Sequence, residues 1–134
     1  MRWRFRLHAE SATGFGAITS NPVIRGDVVY LQDSTSSVYA LDVRSGALLW
    51  KDTIRAPNDG PNGVTISGGR LYGATDTTVF AVDAATGKRL WSRRLAGRYE
   101  QFIAIAPLVD RGRVYVSTQG FLPGGRGPRV GRSR

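Results

Sequence analysis

The sequence has no cysteine and only one histidine, His8. Without cysteine the chain can form no disulfide, thiolate metal site or thiol nucleophile. His8 reads as a solvent-facing linker residue, so we expect neither a histidine-based metal site nor a Ser-His-Asp triad. Long apolar runs are also missing, since none approaches the roughly 20 residues of a membrane-spanning helix. The basic N-terminus has no apolar core behind it and does not read as a signal peptide.

Acidic residues are scarce: 10 Asp and Glu face 19 Lys and Arg, giving a net charge of +9. Seven arginines lie near the termini: Arg2, Arg4, Arg6, Arg126, Arg129, Arg132 and Arg134. Without those seven, the body of the chain carries only +2. That is too little for a basic binding face, so no nucleic-acid partner is expected. An Arg-rich nucleic-acid binder is kept only as a third hypothesis.

Two stretches, "YALDVRSGALLW" and "FAVDAATGKRLW", share Ala, Asp, Gly and Trp at offsets 0, 2, 6 and 10. These residues are Ala40, Asp42, Gly46 and Trp50 in the first stretch, and Ala81, Asp83, Gly87 and Trp91 in the second. The second set follows 41 residues after the first. Two matches at one spacing indicate a structural repeat.

A second periodic signal supports the same repeat. Tyrosines stand eight residues after Pro22, Val64 and Pro107, at Tyr30, Tyr72 and Tyr115. Their shared position predicts packing in the core or between repeats. Around Tyr30 the apolar pattern alternates: residues 28, 30 and 32 should face one way and residues 29 and 31 the other.

Alternating runs and glycine-rich turns predict short strands and no helix. The predicted strands are 21–25, 28–32, 37–41, 47–54, 63–67, 70–75, 78–82, 88–95, 103–109 and 113–118, with residues 2–7 as the last strand of an earlier unit. Four strands every 41 to 43 residues are typical of a β-propeller blade. The predicted fold is therefore all-β: a partial propeller, an open arc of about two complete four-stranded blades plus parts of two more.

The shared residues have a physical reason in such a blade. "DVRSG" and "DAATG" would turn the chain between the third and fourth strands, with Asp42 or Asp83 accepting hydrogen bonds from the turn's own amides. Gly46 or Gly87 would adopt the positive φ that a Cβ resists. Each Trp would then fill the wedge between adjacent blades, over the small Ala of its own motif.

The pattern Ala-x-Asp-x-x-x-Gly-x-x-x-Trp resembles the tryptophan-docking motif of the pyrroloquinoline-quinone (PQQ) type β-propeller repeat. It is similar to blades of quinoprotein alcohol dehydrogenases and to the lipoprotein that assists outer-membrane barrel assembly. The match covers about residues 18–118, with Trp3 as a leftover of an earlier blade. The resemblance implies a parent with about eight blades that lies in the periplasm or outside the cell.

The resemblance also permits a test for the PQQ and calcium site of the quinoprotein enzymes. In them a Gly-Ala-Glu-x-Gly-x-Arg-Gly stretch provides a calcium-binding Glu, and this chain has "GFLPGGRG", with Leu122 at the Glu position. A leucine offers no oxygen to a hard cation. Asn62, in "GPNGV", stands where those enzymes have Arg and is the one candidate cofactor contact. The family's vicinal cysteine pair is impossible here.

Other candidate sites give weaker signals. "GFGAIT" lacks the third glycine of a dinucleotide fingerprint and opens no helix. Six aspartates lie mostly at predicted turns and are interpreted as turn residues rather than as a cation site: Asp27, Asp33, Asp52, Asp59, Asp76 and Asp110.

The C-terminal "GGRGPRVGRSR" is rich in Gly and Arg and has no acid. Three hypotheses explain it: a disordered tail, a basic arm for RNA or a membrane surface, or the product of a truncated or frame-shifted reading frame. The truncation or frame shift is favoured because the repeat breaks off within a blade. We therefore divide the chain into residues 1–17 (outer strand and linker), 18–119 (blades) and 120–134 (disordered tail).

Two functions follow. The first is a fragment of a PQQ-like propeller that acts as a binding or scaffold module, with no chemistry or cofactor of its own and with other blades or protein surfaces as partners. The second is a segment of a PQQ-dependent alcohol dehydrogenase whose active site lies mostly elsewhere, PQQ and calcium belonging to the full-length parent.

An open arc leaves apolar sheet faces and strand edges uncovered. We therefore expect the purified chain to be prone to aggregation, as followed by light scattering during size-exclusion chromatography. A monodisperse monomer with a cooperative melt would contradict the hypothesis that the chain is a fragment of a larger propeller.

Overall fold

The computed structural model describes residues 3–5, 21–54, 56, 63–95, 101–103, 106–120 and 129–133. Throughout these ranges the regular elements are β-strands joined by short turns. The same ranges contain no helix long and apolar enough to cross a membrane. His8, Asp59, Asn62, Leu122 and the "GFGAIT" stretch lie outside the described residues.

Two four-stranded antiparallel sheets follow one another along the chain, each with its strands in sequence order. The first sheet consists of β1 (Val23–Arg25), β2 (Val28–Gln32), β3 (Val38–Asp42) and β4 (Leu48–Asp52). The second sheet consists of β5 (Thr65–Ser67), β6 (Arg70–Ala74), β7 (Thr78–Asp83) and β8 (Arg89–Arg94). These eight strands fall where the hydrophobic alternation predicts them.

A third sheet is built differently. It contains β9 (Gln101–Ile103), β10 (Leu108–Asp110), β11 (Arg113–Gly120) and β12 (Arg129–Ser133). Both β9 and β10 pair with β11, and β12 pairs with the opposite edge of β11. The single strand predicted for 103–109 is thus two strands, because the register against β11 shifts between Ile103 and Leu108.

Two further sequence predictions differ from the structure at the ends of the described chain. Residues 3–5, within the strand predicted for 2–7, have no strand assignment, because a strand is defined by pairing and they have no backbone partner among the described residues. In the segment predicted to be a disordered tail, 120–134, residues Arg129–Ser133 form β12. The free edge of β11 explains this, since the unpaired amides and carbonyls of an edge strand accept a further strand.

Apolar residues from the facing sides of the first two sheets form the first core cluster. Its buried members are Tyr30, Val38, Ala40, Val64, Leu71, Phe80, Val82 and Ala84. Val28 packs against this cluster, whereas Val29 and Leu31 belong to a separate cluster on the other side of the first sheet. The alternation predicted for β2 is therefore confirmed.

The two remaining clusters fix the order of the layers. One joins the far side of the second sheet to the third sheet through Tyr72, Val79, Val114 and Val116. The other is the near side of the first sheet, on which Trp3 and Phe5 pack. At the inner edge β5 contacts both β1 and β10, and the Thr65 hydroxyl donates to the Pro107 carbonyl. The sheets thus stack as successive blades of an arc, and the all-β partial propeller is confirmed.

The buried layer between the first and second blades should dominate the stability. Leu71→Ala, at a fully buried position, should lower the free energy of unfolding by about 2–5 kcal/mol through lost contacts and a cavity. Leu49→Ala, on the exposed outer strand β4, is the matched control and should change it by less than about 0.5 kcal/mol. Equal losses in urea unfolding would contradict a core between the blades.

Candidate functional site

The turn between the third and fourth strands of each blade is fixed by an aspartate. Asp42 Oδ1 accepts hydrogen bonds from the amides of Arg44 at 2.8 Å and Ser45 at 3.0 Å. In the second blade Asp83 Oδ1 accepts two turn amides at the same distances. The amides of Ser45 and then Arg44 hold the pKa of the Asp42 carboxyl below its usual value. Gly46 closes the turn with φ 74°. These are the hydrogen bonds and the backbone conformation that the sequence predicts for "DVRSG".

Trp50 leaves its own blade and docks on the turn of the next one. Its Nε1 donates to the Ala84 carbonyl at 2.9 Å. A Cβ placed on Gly87 would lie 2.5 Å from Cε3 of the indole, a distance that real Cβ atoms do not reach. The ring also lies 6.0 Å from that of Tyr30, and Ala40 is the cross-strand neighbour of Trp50. The indole is therefore held between its own blade and the glycine of the neighbouring blade.

Trp3 makes the same contact one blade earlier. Its Nε1 donates to the Val43 carbonyl at 2.8 Å. A Cβ on Gly46 would lie 2.5 Å from Cε3 of Trp3. Trp3 thus occupies the position on the first blade that Trp50 occupies on the second, although residues 3–5 have no strand assignment.

Trp91 is the third indole of the series. It is the cross-strand neighbour of Ala81, lies 6.1 Å from the ring of Tyr72, and packs on the cluster between the second and third sheets. The third copy then departs from the repeat. In register, Tyr30 is opposite Ala40 and Tyr72 is opposite Ala81, whereas Tyr115 is opposite Arg132. The third sheet therefore has Arg132 at the position where the first two sheets have Ala40 and Ala81, each the cross-strand neighbour of a tryptophan.

Among the polar contacts between blades that were not predicted from the sequence are those of Asp52 and Gln32. Arg89 donates to both carboxylate oxygens of Asp52, at 2.9 and 3.3 Å. Asp52 is therefore a strand residue in an ion pair between blades, which corrects its interpretation as a turn residue. Gln32 is fully buried, and its Nε2 donates to the Ala74 carbonyl of the next blade at 2.9 Å. The only sign of this contact in the sequence is that residue 32 is a glutamine, although the alternation predicts a core side chain there.

Asp33 anchors a buried polar turn at the opposite end of the first blade. Its Oδ1 accepts the amides of Thr35 and Ser37, at 2.9 and 3.0 Å, and the Thr35 hydroxyl at 2.7 Å. Its Oδ2 accepts the Tyr39 hydroxyl at 2.8 Å. Burial first, and then the hydrogen bond to Asp33, raise the pKa of the Tyr39 phenol well above its usual range. The carboxylate is therefore saturated by local donors, as expected for a turn residue.

Asp27 also has a partner, although at the surface. Asp27 lies 3.5 Å from the Arg44 guanidinium at the surface. Across the described ranges, no three His, Cys, Asp or Glu side chains gather in a group that could hold a metal ion. Of the motif residues, Trp50 of the first motif meets Gly87 of the second, Gly46 receives Trp3, and Trp91 lies beside Ala81. The candidate cofactor contact Asn62 lies outside the described residues.

The repeated blades and their tryptophan contacts define a class of protein, the PQQ-type β-propeller. The family model described as outer membrane protein assembly factor BamB matches residues 1–63 and 60–126. The chain belongs to this family of PQQ-like propeller repeats.

Two curated relatives of the chain are enzymes by name. The quinoprotein alcohol dehydrogenase PedH of Pseudomonas putida is 32% identical over 88% of this chain. The 1-butanol dehydrogenase (cytochrome c) of Thauera butanivorans is 34% identical over 93% of it. The chain spans only 21% and 19% of the lengths of these two relatives.

Solved structures show the same two branches. A europium-containing methanol dehydrogenase superposes with a TM-score of 0.72 at 29% identity, over 95% of this chain and 24% of its own. BamB from Moraxella catarrhalis superposes with a TM-score of 0.58 at 25% identity, over 81% of this chain and 38% of its own. The fold is thus common to quinoprotein enzymes and to an assembly factor.

The close approach of Trp50 to Gly87 predicts a pair of glycine substitutions with different effects. Gly69 and Gly87 have nearly the same φ, 74° and 76°, but nothing lies within 4 Å of a Cβ at Gly69. Gly69→Ala should therefore cost only the left-handed backbone term, about 1–2 kcal/mol. Gly87→Ala should cost about 1–3 kcal/mol more, because the indole must move.

Urea unfolding followed by tryptophan fluorescence measures both losses. Equal losses for the two variants would show that the Trp50 contact contributes nothing beyond the turn conformation.

The buried Tyr39–Asp33 hydrogen bond predicts a loss of stability in base. Because folding raises the phenol's pKa, its contribution is complete below the unfolded value of about 10 and is lost as the pH rises above it. Tyr39→Phe should cost about 1 kcal/mol at pH 7 through the lost hydrogen bond. It should also flatten the decline of the melting temperature above about pH 10. An unchanged decline in the variant would place the alkaline transition elsewhere.

Proposed function

We propose that this chain is a segment of a larger PQQ-like propeller and acts as a non-catalytic binding or scaffold module. The observation that carries the proposal is the use of its carboxylates. Asp33, Asp42 and Asp83 accept hydrogen bonds from their own turns, and Asp52 pairs with Arg89. Groups engaged in this way hold blades together and leave little to bind a substrate or a cation.

The donor set does not fit PQQ with calcium. Calcium requires oxygen ligands, usually several carboxylates and carbonyls. Leu122 replaces the glutamate that the quinoprotein enzymes use, and Asn62 replaces an arginine. The chain by itself therefore takes no cofactor, and its partners are other blades or other protein surfaces.

A second candidate function is favoured by the names of the relatives. PedH and the 1-butanol dehydrogenase are oxidoreductases, with identities above 30% over most of this chain. In that case the chain forms part of a quinoprotein dehydrogenase, and the parent's other blades hold PQQ, calcium and the catalytic base. In both cases the resemblance favours a parent that lies in the periplasm or outside the cell.

A chimera separates the two candidates. The segment of PedH that aligns with this chain is replaced by residues 1–134, and the product is assayed with PQQ, calcium, an alcohol and an artificial electron acceptor. As a scaffold segment, this chain should give a folded chimera without calcium-dependent PQQ binding or turnover. Leu122→Glu in the chimera should then regain measurable PQQ binding.

Wild-type PedH is the positive control, and circular dichroism checks that the chimera folds. Turnover by the chimera without the Leu122 change would overturn the scaffold proposal in favour of the enzyme segment.

A further inference from the structure

The buried polar side chains of the described residues share one end of the blades, opposite to the tryptophan-docking turns. Among them, one residue in each sheet stands three positions after the repeated tyrosine: Asp33, Thr75 and Thr118. The others lie in the first blade beside Asp33: Gln32, Ser36 and Ser37. This end of the blades is therefore polar inside, whereas the junctions between the sheets are otherwise apolar.

Two carbonyl groups fix the orientation of the Gln32 amide. Its Nε2 donates to the Ser36 carbonyl of its own blade at 3.2 Å and to the Ala74 carbonyl of the second blade at 2.9 Å. Both amide protons are thereby used. A reversed amide would place Oε1 against the same two carbonyl oxygens, so Oε1 must be the atom on the other side.

That oxygen is a buried acceptor in need of a donor. Gln32 is fully buried, and none of the described residues donates a hydrogen bond to its Oε1. An amide oxygen that loses its hydration without a replacement is costly, so native proteins pair such atoms with a protein group or an ordered water.

The Thr75 hydroxyl has the complementary property. Its Oγ1 accepts the amides of Thr77 and Thr78, at 3.2 and 3.0 Å. Neither bond uses the hydroxyl's own proton, and no acceptor for that proton lies among the described residues. Thr75 is only 4% exposed, so bulk water does not solvate this proton freely.

The strand alternation places Gln32 and Thr75 on facing sides of one junction. Val28 and Leu71 both pack in the cluster between the first and second blades, and Gln32 and Thr75 follow them by four residues each. The Thr75 amide continues the ladder of its sheet by donating to the Thr78 carbonyl, so the alternation extends to this residue. The Gln32 Oε1 and the Thr75 hydroxyl do not bond to each other directly.

We infer that a single water molecule is bound between the first and second blades, where it donates to Gln32 Oε1 and accepts the Thr75 hydroxyl proton. Its second proton goes to the Ser36 or the Ala74 carbonyl, since a carbonyl oxygen has two lone pairs. Three partners is the usual number for a buried water. The burial of both side chains admits water rather than a larger ligand.

This water gives the junction a polar link at the end away from the docked indole. Trp50 joins the two blades at the docking turns, and Gln32 and the water join them at the opposite end. The inference uses only the first two blades, so it holds for a scaffold and for an enzyme segment alike.

Oxygen-17 magnetic relaxation dispersion of residues 1–134 counts the water molecules that a protein holds for longer than its tumbling time. Gln32→Met removes the acceptor at similar side-chain length, and Thr75→Val removes the hydroxyl at similar shape. Each should lower the count by one relative to wild type. Thr75→Ser keeps the hydroxyl and should keep the wild-type count, and circular dichroism checks that each variant is folded.

Thr86→Val is the matched control. The Thr86 Oγ1 accepts the Lys88 amide at 3.2 Å, as Thr75 accepts Thr77, but Thr86 is exposed at the docking-turn end. The control should therefore leave the water count unchanged.

A double-variant cycle in urea, at micromolar concentration, provides a second readout. Because the water joins the two side chains, Thr75→Val should raise the unfolding equilibrium constant at least about threefold less in the Gln32→Met background than in wild type. The cycle of Gln32→Met with Thr86→Val should be additive.

Two results would each overturn the inference: a water count that is the same in wild type, Gln32→Met and Thr75→Val, or an additive cycle for Gln32 and Thr75. Neither result bears on the proposed scaffold function, which the PedH chimera tests separately.

Discussion

The packing of an indole ring on the glycine turn of the next sheet is the contact on which the arc depends. A four-stranded sheet has two apolar faces and cannot bury either alone. Trp50 joins two such sheets, because its ring fills the wedge between them and its N–H donates to the Ala84 carbonyl, which also accepts the Tyr30 hydroxyl. The contact requires a turn of fixed shape and a residue without a Cβ, so Asp83 and Gly87 serve it together.

The same packing also occupies the carboxylates of the blades. Aspartates that could bind cations are the residues that shape the turns, and Asp52 holds Arg89 across a blade junction. The same fold occurs in quinoprotein dehydrogenases and in an outer-membrane assembly factor, so the fold alone does not decide between these functions.

The ends of the arc follow from the same repeat. The second blade buries apolar residues on both of its faces against its neighbours. Ile24 on the first sheet and Leu108 on the third are exposed. Trp3 docks on Gly46 as Trp50 docks on Gly87, and in the third sheet Tyr115 pairs with Arg132 where the first two sheets pair their tyrosine with alanine.

Local rules determined much of this protein from the sequence alone: eight strands of two blades, the alternation of β2, and the Asp–amide and glycine geometry of the turns. Each depends on residues that are close neighbours along the chain. Tertiary structure decided the remainder: the carbonyl that Trp50 reaches 34 residues away, the Arg89–Asp52 pair, the burial of Gln32 and the pairing of β12. Those contacts join separate sheets or a free strand edge, and their partners are set by how the sheets stack, which no short-range pattern records.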